Sequence, residues 1–176
     1  INMPKSVSII GGLIAIGILS WLVLSGSPDT PGGVVDTMNI HLPDLSFTDY
    51  QGRTITFADF AGKPMVINSW AVWCPFCVKE LKDFGIVQQE FGERVVFIAI
   101  DRAESLETAK KFTDQNGITG DLVFLLDSKD SFYQTIGGFS MPETIFVDKD
   151  SNIVNHKRGP MEITEIRQRV QKLFES

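Results

Sequence analysis

Two cysteines three residues apart are the part of the sequence best suited to chemistry. They lie in the stretch Trp73-Cys74-Pro75-Phe76-Cys77, where a predicted strand ends and a predicted helix begins. Pro75 suits the first position of a helix, which would place Cys74 at the N-cap, facing free backbone N–H groups and the positive end of the helix dipole. A thiolate, the reactive form of cysteine, is stabilised in that position. Cys77 lies one turn later and can close a disulfide back to Cys74, so the pair predicts a redox-active dithiol.

Four other roles for the cysteine pair fit the sequence less well. A structural disulfide that closes so short a loop removes little entropy from the unfolded chain. A zinc site would need more ligands, but there is no second cysteine pair, and His41 and His156 lack the spacing of a zinc finger. The surroundings lack the Pro-x-x-x-Thr-x-x-Cys pattern of a peroxidatic cysteine, and ordinary core cysteines would not need a Trp-Cys-Pro stretch between strand and helix. We therefore expect neither a metal nor a cofactor at this pair.

Glu80 is a carboxylate within the apolar stripe of the predicted helix. At about 100° per residue it falls on the same arc as Cys77 and four apolar residues. These are Leu81, Phe84, Val87 and Phe91. The side chain either reaches solvent near the helix start or is desolvated. Desolvation would raise its pKa and suit it to exchange protons with Cys77.

A third candidate is the segment Ser140-Met141-Pro142-Glu143-Thr144, which precedes a predicted strand. Pro142 either ends the preceding glycine-containing loop or forms a cis peptide bond with Met141. Periodicity does not distinguish these two roles, so the residues alone leave both open.

The elements around these segments alternate between buried strands and amphipathic helices. Val95–Ile100 is continuously apolar and rich in β-branched residues, as expected of a strand buried on both faces. A hairpin is predicted between Phe47 and Phe57. Further strands are predicted at 65–71, 122–126, 144–147 and 153–155, and helices at 75–91, 105–116, 129–136 and 163–173. This order predicts an α/β domain with a mixed sheet covered by helices on both faces and an N-terminal hairpin extension.

The apolar residues are concentrated near the N-terminus. Val7–Leu24 contains no charge, and as a helix it would extend roughly 27 Å, close to the ~30 Å hydrocarbon core of a bilayer. Lys5 before it and acidic residues after it favour a cytoplasmic N-terminus and an exported remainder. A cleaved signal peptide and a buried soluble helix are the alternatives. We expect the uncleaved transmembrane anchor, because the apolar core of a signal peptide usually has only ~7–15 residues.

The predicted organisation is an anchor at residues 1–24, a flexible linker at 25–37 and one domain at 38–176. The linker contains the small, polar and helix-breaking stretch SGSPDTPGG. The net charge of the chain is −6, from 16 Lys and Arg against 22 Asp and Glu. An acidic domain without a basic run is a poor candidate for nucleic-acid binding, which needs cationic contacts to phosphates.

Two segments of the domain resemble a known family. Residues 66–77 (VINSWAVWCPFC) resemble the thioredoxin active-site segment, and residues 141–148 (MPETIFVD) are similar to its cis-proline segment. The match is nearest to the membrane-anchored thioredoxin-like thiol-disulfide oxidoreductases of bacterial cytochrome c maturation, the TlpA, ResA and CcmG (DsbE) family. That family carries an active-site acid at the position of Glu80. The chain departs from thioredoxins at Asn68, where they keep a buried Asp, so the acid role would pass to Glu80.

The resemblance implies a thioredoxin-like fold and assigns roles to individual residues. Cys74 would attack the substrate disulfide, Cys77 would resolve the mixed disulfide, and Glu80 would relay a proton to or from Cys77. Pro142 would be cis, with Met141 offering its backbone to an extended substrate segment. The docking surface would be formed by Trp73, Pro75, Phe76, Met141, Pro142 and Glu143.

The resemblance also implies partners and a location. The substrate would be an apocytochrome c or a similar protein disulfide, and a membrane thiol donor of the DsbD or CcdA type would supply electrons. The protein would be held in the cell membrane by a single pass through residues 7–24, with its domain on the periplasmic or extracellular side. The alternatives are a general disulfide reductase or thiol-dependent antioxidant, and a copper-binding assembly protein on the same fold with Cys74, Cys77 and His156 as ligands.

Overall fold

The computed structural model of the protein describes residues 40–175. The predicted anchor at Val7–Leu24 and the predicted linker lie outside the described residues. Between residues 40 and 175, no helix is both long and apolar enough to cross a membrane.

Within this range a mixed sheet of eight strands forms the centre of the domain. The strands are β1 (Ile40–His41), β2 (Ser46–Asp49), β3 (Thr54–Thr56), β4 (Met65–Trp70), β5 (Val96–Arg102), β6 (Val123–Asp127), β7 (Glu143–Val147) and β8 (Asn152–Arg158). Their order in the sheet is β1-β8-β7-β4-β5-β6-β2-β3. β4, β5 and β6 run parallel to one another, and the other pairings are antiparallel. The predicted mixed sheet is therefore confirmed.

Four α-helices connect or follow these strands in the described part of the chain. They are α1 (Cys77–Phe91), α2 (Leu106–Asn116), α3 (Ser131–Thr135) and α4 (Ile163–Lys172), with short 3-10 turns at Phe57–Phe60 and Gly92–Arg94. Ser105 caps α2, because its hydroxyl accepts the N–H of Thr108. Gly117 ends the same helix in the left-handed conformation, at φ 68°, which glycine adopts without a steric penalty.

The predicted hairpin is confirmed and consists of β2 and β3. The buried carboxylate of Asp49 closes its turn by accepting the backbone N–H groups of Gln51 and Arg53 at 2.9 and 2.8 Å. β2 also pairs with β6, so the hairpin extends the sheet at one edge.

Side chains at alternate positions of the central strands fill two apolar clusters. On β4, Val66 and Trp70 belong to one cluster, and Met65 and Ile67 belong to the other. Phe132 of α3 packs in the second cluster. The first cluster contains both cysteines and the buried faces of α1 and α4, namely Cys74, Cys77, Leu81, Phe84, Val87, Ile166 and Val170. Helices therefore cover both faces of the sheet, as predicted.

Three loops meet at one end of the sheet. Trp70, the last residue of β4, pairs with Asp101 near the end of β5. Ser69 pairs with Glu143, the first residue of the antiparallel β7. The loops that follow β4 and β5 and the loop that precedes β7 therefore lie together. The carboxyl ends of parallel strands are where ligands bind in many α/β folds.

Candidate active site

Cys74 and Cys77 are joined by a disulfide just beyond the end of β4. The Cys74 N–H donates to the carbonyl of Ala71 at 3.1 Å, and the Cys77 N–H donates to the carbonyl of Cys74 at 3.3 Å. Cys74 keeps 3% of its surface exposed, whereas Cys77 keeps none. This difference favours Cys74 as the sulfur that a substrate reaches first.

The helix that carries Cys77 begins later than predicted. α1 starts at Cys77 with Phe76 as its N-cap, so the predictions of Cys74 as N-cap and Pro75 as first helical residue are wrong. The reason is that the Cys77 N–H bonds three residues back and closes a tighter turn. The first hydrogen bond of the α-helical type, from an N–H to the carbonyl four residues earlier, is the one from Glu80 to Phe76. In this disulfide form Cys74 is therefore not placed as a cap whose sulfur accepts the first N–H groups of the helix.

Glu80 is buried, with 1% of its surface exposed. Its Oε1 accepts the backbone N–H of Met161 at 2.8 Å, and its Oε2 accepts from Nδ2 of Asn68 at 3.0 Å. Burial raises the pKa of Glu80 to about 8, against the lowering effect of these two hydrogen bonds. The alternative in which Glu80 reaches solvent is therefore wrong. A carboxyl group with this pKa can both donate and accept a proton near neutral pH.

Asn68 connects Glu80 to the strand that follows Pro142. Its Nδ2 also donates to Oγ1 of Thr144 at 2.9 Å. An Asp at this position would bring a second carboxyl group to within hydrogen-bond distance of Glu80, and two carboxylates so close would repel each other. The Asn68 amide instead donates a hydrogen bond to Glu80, so Glu80 has no second carboxyl group beside it at this position.

The Met141–Pro142 peptide bond is cis, as the resemblance implies. Pro142 is buried, and its carbonyl accepts the N–H of Gly159 at 2.9 Å. Met141 is half-buried, and its backbone N–H and C=O have no hydrogen-bond partner among residues 40–175. The backbone of Met141 is therefore open to another chain.

The side chain of Glu143 does not belong to a docking surface, so that prediction is wrong. It is fully buried, and its Oε1 accepts the backbone N–H groups of Phe139 and Ser140. Its Oε2 lies 2.7 Å from Nε2 of His156 on β8. Because the two loop N–H groups turn inward, they need a buried acceptor. Glu143 supplies it and so fixes the loop ahead of Pro142.

Exposed aromatic side chains surround this end of the sheet. Trp73 and Phe76, which flank Cys74 in the chain, are 61% and 56% exposed, and Phe139 is 85% exposed. We call Trp73, Phe76 and Phe139 the aromatic rim. Pro75 is exposed as well. The sequence does not indicate Phe139, because its exposure depends on the loop conformation, in which its N–H donates to the buried Glu143.

A second pair of carboxyl groups lies behind the segment that leads to Cys74. Both oxygens of Glu104 accept the N–H of Val72, at 3.1 and 3.2 Å, and Asp101 accepts the N–H of Glu104 at 3.0 Å. Burial, together with the adjacent Glu104, raises the pKa of Asp101 to about 8. At neutral pH Asp101 is therefore mainly protonated, and the neighbouring Glu104 holds the backbone of Val72. The sequence gives no signal for this pair, since it depends on the register of β4 and β5.

The three residues named for the copper alternative are already engaged with other groups. Cys74 and Cys77 bond to each other, and His156 contacts Glu143. Over residues 40–175, no three or more His, Cys, Asp and Glu side chains are grouped to hold a metal ion. The copper alternative therefore lacks its ligand set in this structure.

Comparisons of sequence connect this geometry to known proteins. The Redoxin family model matches residues 38–172. The thiol-disulfide oxidoreductase ResA of Bacillus thuringiensis subsp. konkukian is 28% identical over 134 residues, which cover 74% of this chain and 75% of the relative. The residues matched by the family model include both cysteines, Glu80 and the cis proline.

Comparisons of structure agree with the sequence match. MTB DsbF superposes with a TM-score of 0.68 at 26% identity, over 74% of this chain and 95% of that chain. The exposed lipoprotein thioredoxin Etrx1 of Streptococcus pneumoniae superposes with a TM-score of 0.63 at 26% identity, over 76% of this chain and all of that chain. The predicted thioredoxin-like fold is confirmed for the described domain. With a family model that covers residues 38–172 and a disulfide at the expected place, the chain belongs to the Redoxin family, as a thioredoxin-like thiol-disulfide oxidoreductase.

Proposed function

We propose that this protein reduces disulfides of protein substrates outside the cytoplasm. The observation that carries the proposal is the Cys74–Cys77 disulfide one helical turn from a buried carboxyl group with a pKa of about 8. In the reaction the Cys74 thiolate attacks one sulfur of the substrate disulfide, and Cys77 then attacks the Cys74 sulfur of the mixed disulfide. The substrate gains two electrons and two protons and leaves as two thiols, while Cys74 and Cys77 form the disulfide present in this structure.

Glu80 supports the second of these attacks. It follows Cys77 by three residues on α1, so the two side chains lie on the same side of the helix. Cys77 must lose its proton before it can attack, since the thiolate is the nucleophile. A carboxylate whose conjugate acid has a pKa of about 8 is well matched to accept that proton near pH 8, where a large part of Glu80 is ionised.

The surface around the disulfide favours a polypeptide substrate. The free N–H and C=O of Met141 can pair with the backbone of an extended segment, as strands do when they add to a sheet edge. Apolar side chains of the same segment would contact the aromatic rim. A small disulfide without a peptide backbone would make neither contact.

The substrate that we propose is an apocytochrome c or a similar exported protein with a disulfide, and the electron donor is a membrane thiol protein of the DsbD or CcdA type. The resemblance to the cytochrome c maturation family and the similarity to ResA support this choice. An extracytoplasmic location is supported by the apolar segment Val7–Leu24 and by the similarity to the exposed lipoprotein Etrx1.

The reduction potential of the Cys74–Cys77 pair tests the proposed direction of electron flow. We expect a value below roughly −200 mV, in the range of reductases, against about −120 mV for DsbA. DsbA is strongly oxidising because its reduced form is stabilised. Here both cysteines lie within an apolar cluster, which disfavours the charged thiolate. The measurement is equilibration with glutathione followed by thiol alkylation, and a value near that of DsbA would indicate an oxidase instead.

Membrane attachment is tested separately. We expect the full-length protein to stay in the membrane fraction after carbonate washing, because Val7–Leu24 is long and apolar enough to span the bilayer. An external protease should release the intact domain by cutting within Ser25–Gly33. Recovery of a soluble mature form that starts near Pro28 would instead support a cleaved signal peptide.

A further inference from the structure

Arg102 lies against two aromatic rings at the end of β5. Its guanidinium carbon is 3.4 Å from the ring centroid of Tyr133 and 5.9 Å from that of Trp73. Its Nε and Nη2 donate to the two carboxylate oxygens of Asp130, the first at 2.8 Å. The side chain is only 18% exposed. The paired hydrogen bonds fix the plane of the guanidinium, and the rings pack against it.

Tyr133 extends this contact to the loop that precedes the cis proline. Its hydroxyl donates to the carbonyl of Ser140 at 3.0 Å, and its carbonyl accepts the N–H of Gly138 at 2.8 Å. A Cβ added at Gly138 would lie 2.5 Å from ring atoms of Tyr133, so the loop backbone packs directly on the ring. Ser140 is followed at once by Met141, whose backbone is free. The position of Tyr133 therefore fixes the position of that backbone.

We propose that Arg102 is a positioning residue that joins the two sides of the docking surface and thereby sets the affinity for polypeptide disulfides. One side is Trp73, next to Cys74, and the other is the loop 138–141. Contacts run from Trp73 through Arg102 and Tyr133 to Ser140. Three side chains from separate elements therefore hold the two sides of the docking surface in a fixed position relative to each other. The inference rests on the proposed function, since it concerns how a polypeptide substrate is held.

Arginine is the residue type that this place requires. Its planar guanidinium can pair with both oxygens of a carboxylate while its faces pack on rings, whereas the ammonium of lysine is a point charge that does neither in the same geometry. Trp73 is largely exposed, and its ring lies 5.9 Å from the guanidinium carbon, within the range of a cation–π attraction. The side-chain hydrogen bonds and ring contacts of Arg102 are with Asp130, Tyr133 and Trp73. It therefore acts on the shape of the surface and not on the sulfur chemistry.

The test compares Arg102→Lys with Arg94→Lys in the reduced full-length protein, by following single-turnover oxidation of Cys74 and Cys77 at a series of substrate concentrations. KM and kcat here denote the half-saturating substrate concentration and the limiting rate constant of that single turnover. Arg94 is a matched control, because its guanidinium also lies over two rings, 5.2 Å from Phe91 and 5.4 Å from Phe174, away from the disulfide end. One substrate is a short peptide with a single internal disulfide, and the other is hydroxyethyl disulfide, which has no backbone. For Arg102→Lys we expect the KM for the peptide to rise about tenfold. The kcat of Arg102→Lys for the peptide, and the rate of this variant with hydroxyethyl disulfide, should change by less than about twofold.

Each other outcome has a definite meaning. An unchanged peptide KM in Arg102→Lys, or an equal loss of activity toward both disulfides, overturns the proposal. Tyr133→Phe keeps the ring but removes the bond to Ser140, so it should raise the peptide KM alone and by a smaller factor. If Arg102→Lys does not fold, Tyr133→Phe is the variant that tests the proposal. An unchanged peptide KM in Tyr133→Phe also overturns the proposal. If the wild-type protein reduces neither disulfide, the proposed function fails instead.

Discussion

Cys77→Ser should accumulate as a covalent complex with its substrate, whereas Cys74→Ser should accumulate none. In the first variant the attacking sulfur remains and the resolving thiol is lost, so the mixed disulfide persists. In the second variant the attacking sulfur is absent. The slight exposure of Cys74 and the complete burial of Cys77 support this order. The complex is measured as a band on a non-reducing gel that disappears with reductant and contains substrate peptides by mass spectrometry.

The control for trapping is the variant in which both cysteines are replaced by serine, which should form no complex. Complexes formed by Cys74→Ser, and not by Cys77→Ser, would reverse the two roles. If both single variants trapped substrate equally, the two sulfurs would be equally accessible, contrary to their exposure in this structure.

Glu80→Gln should slow resolution of the mixed disulfide by about 100-fold near pH 8, the size typical of losing a general acid or base. An amide cannot take the Cys77 proton. The fold should tolerate the change, because the amide oxygen of glutamine can still accept the Met161 N–H. Asn68 Oδ1, which is buried without a hydrogen-bond partner, can accept from the new N–H group if the Asn68 amide rotates and gives up its bond to Thr144. The measurement is rapid-quench kinetics of a preformed mixed disulfide on Cys74. Glu90→Gln is the matched control, since it removes an exposed carboxylate of α1 paired with Arg167.

The same variant should change how the reduction potential depends on pH. Below pH 8 Glu80 is mainly protonated, so wild type and Glu80→Gln should have similar potentials. Above pH 8 the ionised Glu80 opposes formation of a nearby thiolate and lowers the wild-type potential. The potential of the variant should then lie higher, by about 30 mV for each 1.4 kcal/mol of repulsion removed. Identical pH profiles would contradict the role of Glu80.

Stability provides an independent check on the ionisation of Glu80. Its pKa is raised from 4.5 in the unfolded reference to about 8, so the folded protein holds a proton that the unfolded chain releases. This contribution to the free energy of unfolding is complete below pH 4.5 and is lost as pH rises through 8. Asp101 acts in the same direction. Glu80→Gln should therefore show a weaker loss of stability over this range than the wild type, measured by denaturant unfolding at several pH values.

The place of Glu80 in the apolar stripe of α1 could be predicted from the sequence, but its burial and its partners could not. The helical period alone places this carboxylate in the apolar stripe of α1. Its hydrogen-bond donors lie 12 and 81 residues away in the chain, at Asn68 on β4 and at Met161 ahead of α4. The contacts of Arg102 with Trp73 and Tyr133 could not be predicted from the sequence either, because they depend on which loops meet at the end of the sheet.

Two errors show where local rules fail. The preference of proline for the first helical position places the start of α1 at Pro75, but the bond from the Cys77 N–H to the Cys74 carbonyl delays the helix. Glu143 adjoins Pro142 in the chain, which suggests a shared surface. Pairing of β7 with β8 instead places Glu143 opposite Arg158 and close to His156, within the protein.

The first strand enters the sheet at the end remote from the disulfide. Ile40 pairs with Ile153 of β8, whereas Arg158 at the other end of β8 pairs with Glu143 beside the cis-proline loop. At about 3.3 Å per residue, the stretch from 153 to 158 separates these two ends by roughly 17 Å. A domain immobilised on a sensor chip or electrode through a linker ahead of Ile40 would therefore keep its sulfur-bearing end free for partners in solution.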